Sequence, residues 1–204
     1  ISPRLAIKTF FIRNFPNIAL GIDDLTIIGI APFEGDTLLT IGSTKASLDL
    51  MSVIKGEQYK IEAIDLSDAI VNAIVNKDGI ANWNITKPST DTSASKPFDL
   101  ALNKLTLDNI NLFYDDLNGG TSLKIVNLNH KGKGDFASAI LDYTSSTAIE
   151  KVSFSQGLIT YLKEATLNLE SSVNIDQTQQ KYAFKENNVR RLRIPRNADK
   201  GRNL

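Results

Sequence analysis

The residues that could carry out catalysis are few, and their spacing does not bring them together. His130 is the only histidine, and the residues around it include no partner that would orient it as a general acid or base. We therefore predict that it lies in a surface turn. Asp23 and Asp24 are adjacent carboxylates, as are Asp115 and Asp116, and adjacent side chains of a strand point to opposite faces. Neither pair predicts the paired carboxylates of a glycoside hydrolase.

The chain also lacks the ligands and loops that hold metals or nucleotide cofactors. It contains no cysteine, which excludes disulfides and thiolate zinc sites. Gly132-x-Gly134 is followed by neither the helix nor the Lys-Ser/Thr pair of a phosphate-binding loop. We predict that the chain is not an enzyme and binds no metal and no cofactor. An enzyme, for instance a carbohydrate-active β protein, would need two carboxylates about 5–10 Å apart in a cleft.

Charge is distributed unevenly along the chain. Residues 190–204 hold six basic residues and one acidic residue, whereas the whole chain has a net charge of zero. The remaining body is mildly acidic, which disfavours nucleic-acid binding because that binding depends on cationic contacts to phosphate. We predict one β domain at 1–189 and a basic tail at 190–204 that is disordered or foreign to the domain. The proline-bounded stretch 88–97 predicts a flexible loop within the domain.

A spaced apolar pattern recurs four times and is the strongest structural signal. Its clearest copy reads Leu102-x-x-Leu105-x-Leu107-x-x-Ile110-x-Leu112-x-Tyr114. Steps of two are typical of a strand with one apolar face. Each step of three shifts the phase once, and a twisted strand can absorb that shift with a β-bulge. Further copies begin at Ile7, Ile61 and Ile149.

The pattern predicts a mostly β protein: a long twisted antiparallel sheet of repeated strands, curved into a groove or half-barrel, with one short helix near 50–56. Asn76-Lys77-Asp78-Gly79 predicts a hairpin turn, with a returning strand at Ala81–Ile85 in which Trp83 plugs the core. Little helix remains to cover the apolar face. Strands are predicted at 4–12, 17–29, 36–50, 58–66, 69–76, 98–115, 121–130, 136–144, 148–156, 158–162, 164–175 and 181–189.

Several segments resemble the AsmA family of bacterial envelope proteins. The most specific is Asp78-Gly79-x-Ala81-Asn82-Trp83, which is similar to a hairpin-closing element of that family. It follows a stretch that begins at Leu48-Asp49-Leu50 and continues through Ile61-x-x-Ile64-x-Leu66. The segment from Leu105 to Asp116 is similar to a later strand of the family. The resemblance covers about residues 5–190.

The resemblance implies a large protein of Gram-negative bacteria, held in the inner membrane by an N-terminal helix that precedes this chain, with its body in the periplasm. The chain begins at Ile1 within the pattern of a strand, which predicts a piece of such a longer protein. Family members resemble bridge-like lipid-transfer proteins, in which repeated β units form an apolar groove. They are linked to outer-membrane biogenesis and phospholipid transport, and envelope proteins are possible partners.

The leading hypothesis is therefore a non-enzymatic segment that handles phospholipid or another acyl lipid through an apolar β groove. Burial of acyl chains is non-directional, so the apolar members of the repeats are sufficient to bind them. The alternative is an envelope scaffold or interaction module whose strands close over their own core without a ligand. The spacing alone leaves open which repeat members face a groove. The candidate groove residues are Ile61, Ile64, Leu66, Leu105, Leu107, Ile110 and Leu112.

Overall fold

The computed structural model describes residues 6–9, 17–55, 59–85, 98–99, 102–136 and 138–193. The predicted loop at 88–97 lies outside these residues. One short helix and ten strands form in the described part of the chain: β1 (Ala6–Thr9), β2 (Asn17–Ile28), β3 (Thr37–Asp49), α1 (Leu50–Lys55), β4 (Tyr59–Val75), β5 (Phe98–Asp99), β6 (Lys104–Asp116), β7 (Thr121–Lys133), β8 (Ile140–Gln156), β9 (Ile159–Asp176) and β10 (Lys181–Arg193).

The strands form a single open sheet in the order β1-β2-β3-β4-β6-β7-β8-β9-β10, with β5 paired to β4 beside this path. Neighbours on the path are antiparallel except β4 and β6, which run parallel from Ala63 opposite Lys104 to Val75 opposite Asp116. The prediction of a mostly β chain, built on a long sheet of mainly antiparallel strands with one short helix, is confirmed. The parallel pair was not predicted.

Several of the predicted steps of three are β-bulges within the strands, including those that end at Ala69, Ile110 and Val152. The step from Leu102 precedes β6, the step to Gly157 ends in a turn, and residues 10–15 of the Ile7 copy lie outside the described part of the chain. Five strands contain a residue with a φ of 50–56° just before the apolar residue that ends the step: Asp24, Asp68, Asn109, Asn127 and Glu164. In β8 the same step appears as a register shift between Ile149 and Val152. The bulge shifts the phase without ending the strand. Strands predicted as separate at 58–66 and 69–76 are therefore one strand, β4, and β9 is continuous through Glu164 for the same reason. β8 is also continuous, because residues 145–147, where a break was predicted, keep a regular pairing with β9.

The bulges of neighbouring strands are hydrogen-bonded to one another. Asn109 Nδ2 donates to Asp68 Oδ1 at 2.7 Å, which joins the bulges of β6 and β4. In three strands, a side chain of the adjacent strand accepts the backbone N–H of the residue with positive φ: Asn129 Oδ1 for Asn109, Asn111 Oδ1 for Asn127 and Ser153 Oγ for Glu164. Polar side chains thus provide acceptors at points where the extra residue interrupts the regular ladder.

The segment after β4 forms a turn but no hairpin, and Asn82 packs against the edge of β4. The turn is confirmed, because Asn76 C=O accepts the Gly79 N–H and Gly79 has a φ of 77°. The returning strand is wrong, since only Val75 and Ala81 form a bridge. Instead Asn82, which is 3% exposed, accepts the Ile74 N–H at 2.9 Å and donates to a backbone carbonyl of β4. The β3–β4 ladder ends at Leu39 opposite Val71, so Asn82 covers the edge of β4 beyond that point.

The last described strand, β10, extends further than predicted. The strand predicted at 181–189 continues to Arg193, within the stretch predicted as the basic tail, and Leu192 lies opposite Leu167. A register shift between Val189 and Arg191 interrupts the alternation of apolar and polar residues. The arginines around this shift therefore show no strand pattern in the sequence. Residues 194–204 lie outside the described part of the chain.

We expect Asn82→Ala to lower the free energy of unfolding by roughly 2–4 kcal/mol. The substitution leaves the Ile74 N–H and the Asn72 carbonyl without their side-chain partner, at about 1–3 kcal/mol for each unsatisfied group. Urea denaturation measures the change. Asn84→Ala, at an exposed position two residues along, is the matched control and should change the stability little. Equal losses in the two variants would contradict the role of Asn82.

We expect Asn109→Val to be less stable than Asn109→Gly by about 1–2 kcal/mol, because a β-branched residue is strained at a φ of 53° and glycine is not. Both variants lose the hydrogen bond to Asp68, so their difference in urea denaturation isolates the backbone conformation. Equal stability of the two variants would show that the bulge can relax to negative φ at no cost.

Candidate functional site

All seven candidate groove residues lie on one face of the sheet. Leu107 lies between Leu66 of β4 and His130 of β7, and Leu112 lies between Val71 and Ile125. In the same way, Leu105 is opposite Ile64, Ile110 is opposite Leu128, and Ile61 is opposite Leu48 of β3. Because directly opposed residues share a face, the bulges place both halves of each repeat on the same side. The register therefore assigns a common face to these seven residues.

This apolar face extends across the sheet. In the middle of the strands, Ile110 is followed in register by Leu128, Ile149 and Leu167. Towards one end, Leu112 is followed by Ile125, Val152 and Ala165. On the other side of the parallel pair, Val71 continues through Leu39 of β3 to Ile27 of β2. Leu66 continues through Thr44, a polar member of the row, to Ile22.

Nothing among the described residues forms a second layer over this face. Apart from the contacts of α1 with β3 and β4, the substantial contacts between elements all join strands that are neighbours in the sheet. Ala69 and Ala165 have no exposed area and Ile110 is 6% exposed, so the smallest and most central side chains are covered by their neighbours on the sheet. Leu107 and Leu112 are only partly buried. On β10, Phe184 lies opposite Val173 and is 68% exposed.

A polar cluster interrupts the apolar face near the His130 end of β7. His130 Nδ1 lies 2.8 Å from Thr147 Oγ1, and His130 Nε2 lies 2.8 Å from the Tyr143 hydroxyl. The Tyr143 ring lies over Gly132, where a Cβ atom would collide with the hydroxyl. Phe136 packs edge-on against the same ring with a centroid distance of 5.4 Å. The prediction of a histidine in a surface turn is wrong, because His130 lies within β7 and is partly buried.

Burial sets the protonation of this cluster. It lowers the pKa of His130 and raises the pKa of Tyr143, so the neutral form of each group is favoured. A neutral imidazole donates from one ring nitrogen and accepts at the other, which matches two hydroxyl partners that can each do either. Both ring nitrogens of His130 have hydroxyl partners on β8, which ties β7 to β8 at this point of the sheet.

One end of the apolar face carries partly exposed aromatic rings. Trp83 is 45% exposed and lies 6.3 Å from Tyr114, measured between ring centroids. Phe154 stacks on Tyr161 at 5.6 Å, and Tyr161 is 58% exposed. The prediction that Trp83 plugs the core is wrong. Large rings with one polar atom and an apolar body suit a boundary between water and an apolar phase.

The carboxylates that the sequence drew attention to have structural roles. Asp116 Oδ1 accepts the N–H groups of Asn118 and Gly119 and shapes the β6–β7 turn. Asp115 Oδ1 accepts the hydroxyl of Ser122. In the described part of the chain, no three His, Asp or Glu side chains are grouped so that they could hold a metal ion.

Comparisons with protein-family models, with curated proteins and with solved structures gave no match. Among the described residues, no helix has the length and apolar character needed to cross a membrane. Any function must therefore be argued from the two faces of the sheet.

We expect the protein to lose stability as the pH falls below about 6.5, the ordinary pKa of histidine, because His130 has a lower pKa when folded. The unfolded chain then binds a proton that the folded chain resists, so the stabilisation is present above that pH and is lost as the pH falls through the folded pKa. Urea denaturation from pH 8 to pH 5 measures the slope. His130→Gln should flatten this slope, and an unchanged slope would assign it to other groups.

Proposed function

We propose that this chain is a periplasmic segment of an AsmA-like envelope protein, anchored in the inner membrane through a helix outside this chain, and that its apolar face binds the acyl chains of phospholipids. The resemblance of Asp78–Trp83 and of the repeats to that family supports the assignment. The observation that carries it is the apolar face itself, which lacks a covering layer among the described residues. In the full protein such a face would contribute to phospholipid transport and outer-membrane biogenesis.

The energetics favour a lipid over exposure to water. An acyl chain on this face removes apolar surface from water on both partners, at about 25 cal/mol per Å² or about 0.8 kcal/mol per buried methylene group. The rows from Ile110 to Leu167 and from Leu112 to Ala165 provide contacts without hydrogen-bonding demands. The interaction requires no particular register, and a chain could therefore move along the face without breaking directional bonds.

The rival hypothesis, a scaffold with a closed core, requires the strands to fold over one another. The described strands do not do so, because each contacts chiefly its neighbours in one open sheet. Large apolar side chains such as Leu20, Phe184 and Val189 are 43%, 68% and 54% exposed. Exposed apolar side chains are typical of a binding surface for a ligand, a partner or a membrane, and the aliphatic rows at the centre of the face favour the acyl chains of a lipid.

We expect a photoreactive benzoyl-phenylalanine at Leu112 to cross-link to phospholipid, and the same residue at Phe113 to cross-link much less. The two positions are neighbours in β6 and are similarly buried, but they point to opposite faces. Cross-linking in cells, followed by mass spectrometry of the purified protein, measures the adduct. Equal labelling at both positions, or none at Leu112, would count against lipid binding on the apolar face.

A further inference from the structure

A cavity of about 460 Å³ opens on the polar face of the sheet, opposite the apolar rows. Four consecutive strands, β7 to β10, provide its lining. Its size is within the range of about 300–1,000 Å³ that small-molecule sites occupy. Because it lies on the other face, what binds there is independent of the lipid proposed above.

The lining forms two rows that cross the strands in register. In the first row Lys131 lies opposite Ser146, Ser146 opposite Glu170, and Glu170 opposite Asn188. All four residues line the cavity. Directly opposed residues share a face, so the row presents an ammonium group, a hydroxyl, a carboxylate and an amide in that order across the sheet.

The second row repeats this arrangement one step along the strands. Lys133 lies opposite Thr144, Thr144 opposite Ser172, and Ser172 opposite Glu186. These four residues also line the cavity. Both rows therefore begin with a lysine on β7, continue with a hydroxyl on β8, and have their glutamate on β9 or β10.

The two rows create one cationic wall and one acidic wall with hydroxyls between them. Strands are spaced by about 4.8 Å, so the backbones of β7 and β9 are roughly 10 Å apart, and those of β7 and β10 roughly 14 Å. Lys131, Lys133 and Glu186 are exposed and can turn towards a ligand.

We propose that this cavity binds a small hydroxylated zwitterion, with its anionic group at Lys131 and Lys133 and its ammonium group at Glu170 and Glu186. Lysine only donates and an ionised glutamate only accepts, so the two walls can receive such a ligand in one orientation. The contacts at both ends are charge-assisted hydrogen bonds, the stronger kind. Ser146, Thr144 and Ser172 also line the cavity and offer hydroxyl partners to the phosphate oxygens and hydroxyl groups of such a ligand.

A titration with glycerophosphoethanolamine, followed by NMR of the backbone amides, tests the site. We expect saturable shifts centred on Thr144, Ser146 and Ser172, and weaker binding of glycerol 3-phosphate, which lacks the ammonium group. The double variant Lys131→Gln/Lys133→Gln should weaken the binding of both compounds by at least about tenfold, equivalent to about 1.4 kcal/mol. Glu186→Gln should reduce the preference for the zwitterion and retain binding of glycerol 3-phosphate.

Lys124→Gln is the matched control, because Lys124 is an exposed residue of β7 on the same face but outside the cavity lining. It should leave both affinities unchanged.

The proposal is overturned if no shift saturates, if Lys124→Gln weakens binding as much as the double variant does, or if glycerol 3-phosphate binds the unmodified chain as tightly as glycerophosphoethanolamine. Displacement of the probe by vesicles of dioleoylphosphatidylethanolamine would support the site and identify a lipid headgroup as the source of the zwitterion. Saturable binding without displacement would support a soluble one.

Discussion

The extra residue within β2, β4, β6, β7, β8 and β9 is the constraint on which the two-faced sheet depends. Side chains alternate with a period of two, so one unpaired insertion in a single strand would turn half of that strand inside out. Here neighbouring strands carry their bulges beside one another, as the hydrogen bond between Asn109 and Asp68 shows. The phase therefore changes together across the sheet, and Leu107 and Ile110 remain on the same face. Both the apolar rows and the rows of lysines and glutamates depend on this shared register.

Much of the architecture could be predicted because periodicity is a local signal. The steps of three predicted bulges, and residues with positive φ occur where those steps lie, as at Asp68 and Asn109. What the periodicity could not show is whether a bulge interrupts a strand or ends it. The two cases have the same spacing, and the prediction of separate strands at 58–66 and 69–76 was wrong for that reason. Likewise, the arginines of β10 hid a strand whose apolar member, Leu192, still lies opposite Leu167.

The candidate site was predicted less completely, because its polar parts depend on residues that are distant in sequence. The apolar members of the repeats could be identified from spacing, although their common face required the register. His130 could not be placed without its partners Tyr143 and Thr147 on β8. The role of Asn82 could not be predicted either. Asn82 makes three hydrogen bonds to the edge of β4, and no sequence pattern indicates them. The rows of lysine, hydroxyl and glutamate side chains are formed by residues from four strands, so they could not be identified before the register was known.

The parallel pairing of β4 with β6 divides the sheet into two halves with different folding requirements. On the β6 side of this seam, consecutive strands are joined by short connections, such as residues 117–120 between β6 and β7. On the β4 side the connections are longer, and residues 29–36 join β2 to β3. Across the seam, partners such as Ala63 and Lys104 are separated by about 40 residues, so closing that pair costs much more chain entropy. Within each half, neighbouring strands are consecutive in the sequence. Pairing of β4 with β6 is the long-range contact that joins the two halves into one sheet. The continuity of the apolar rows across the molecule thus depends on its kinetically most demanding contact.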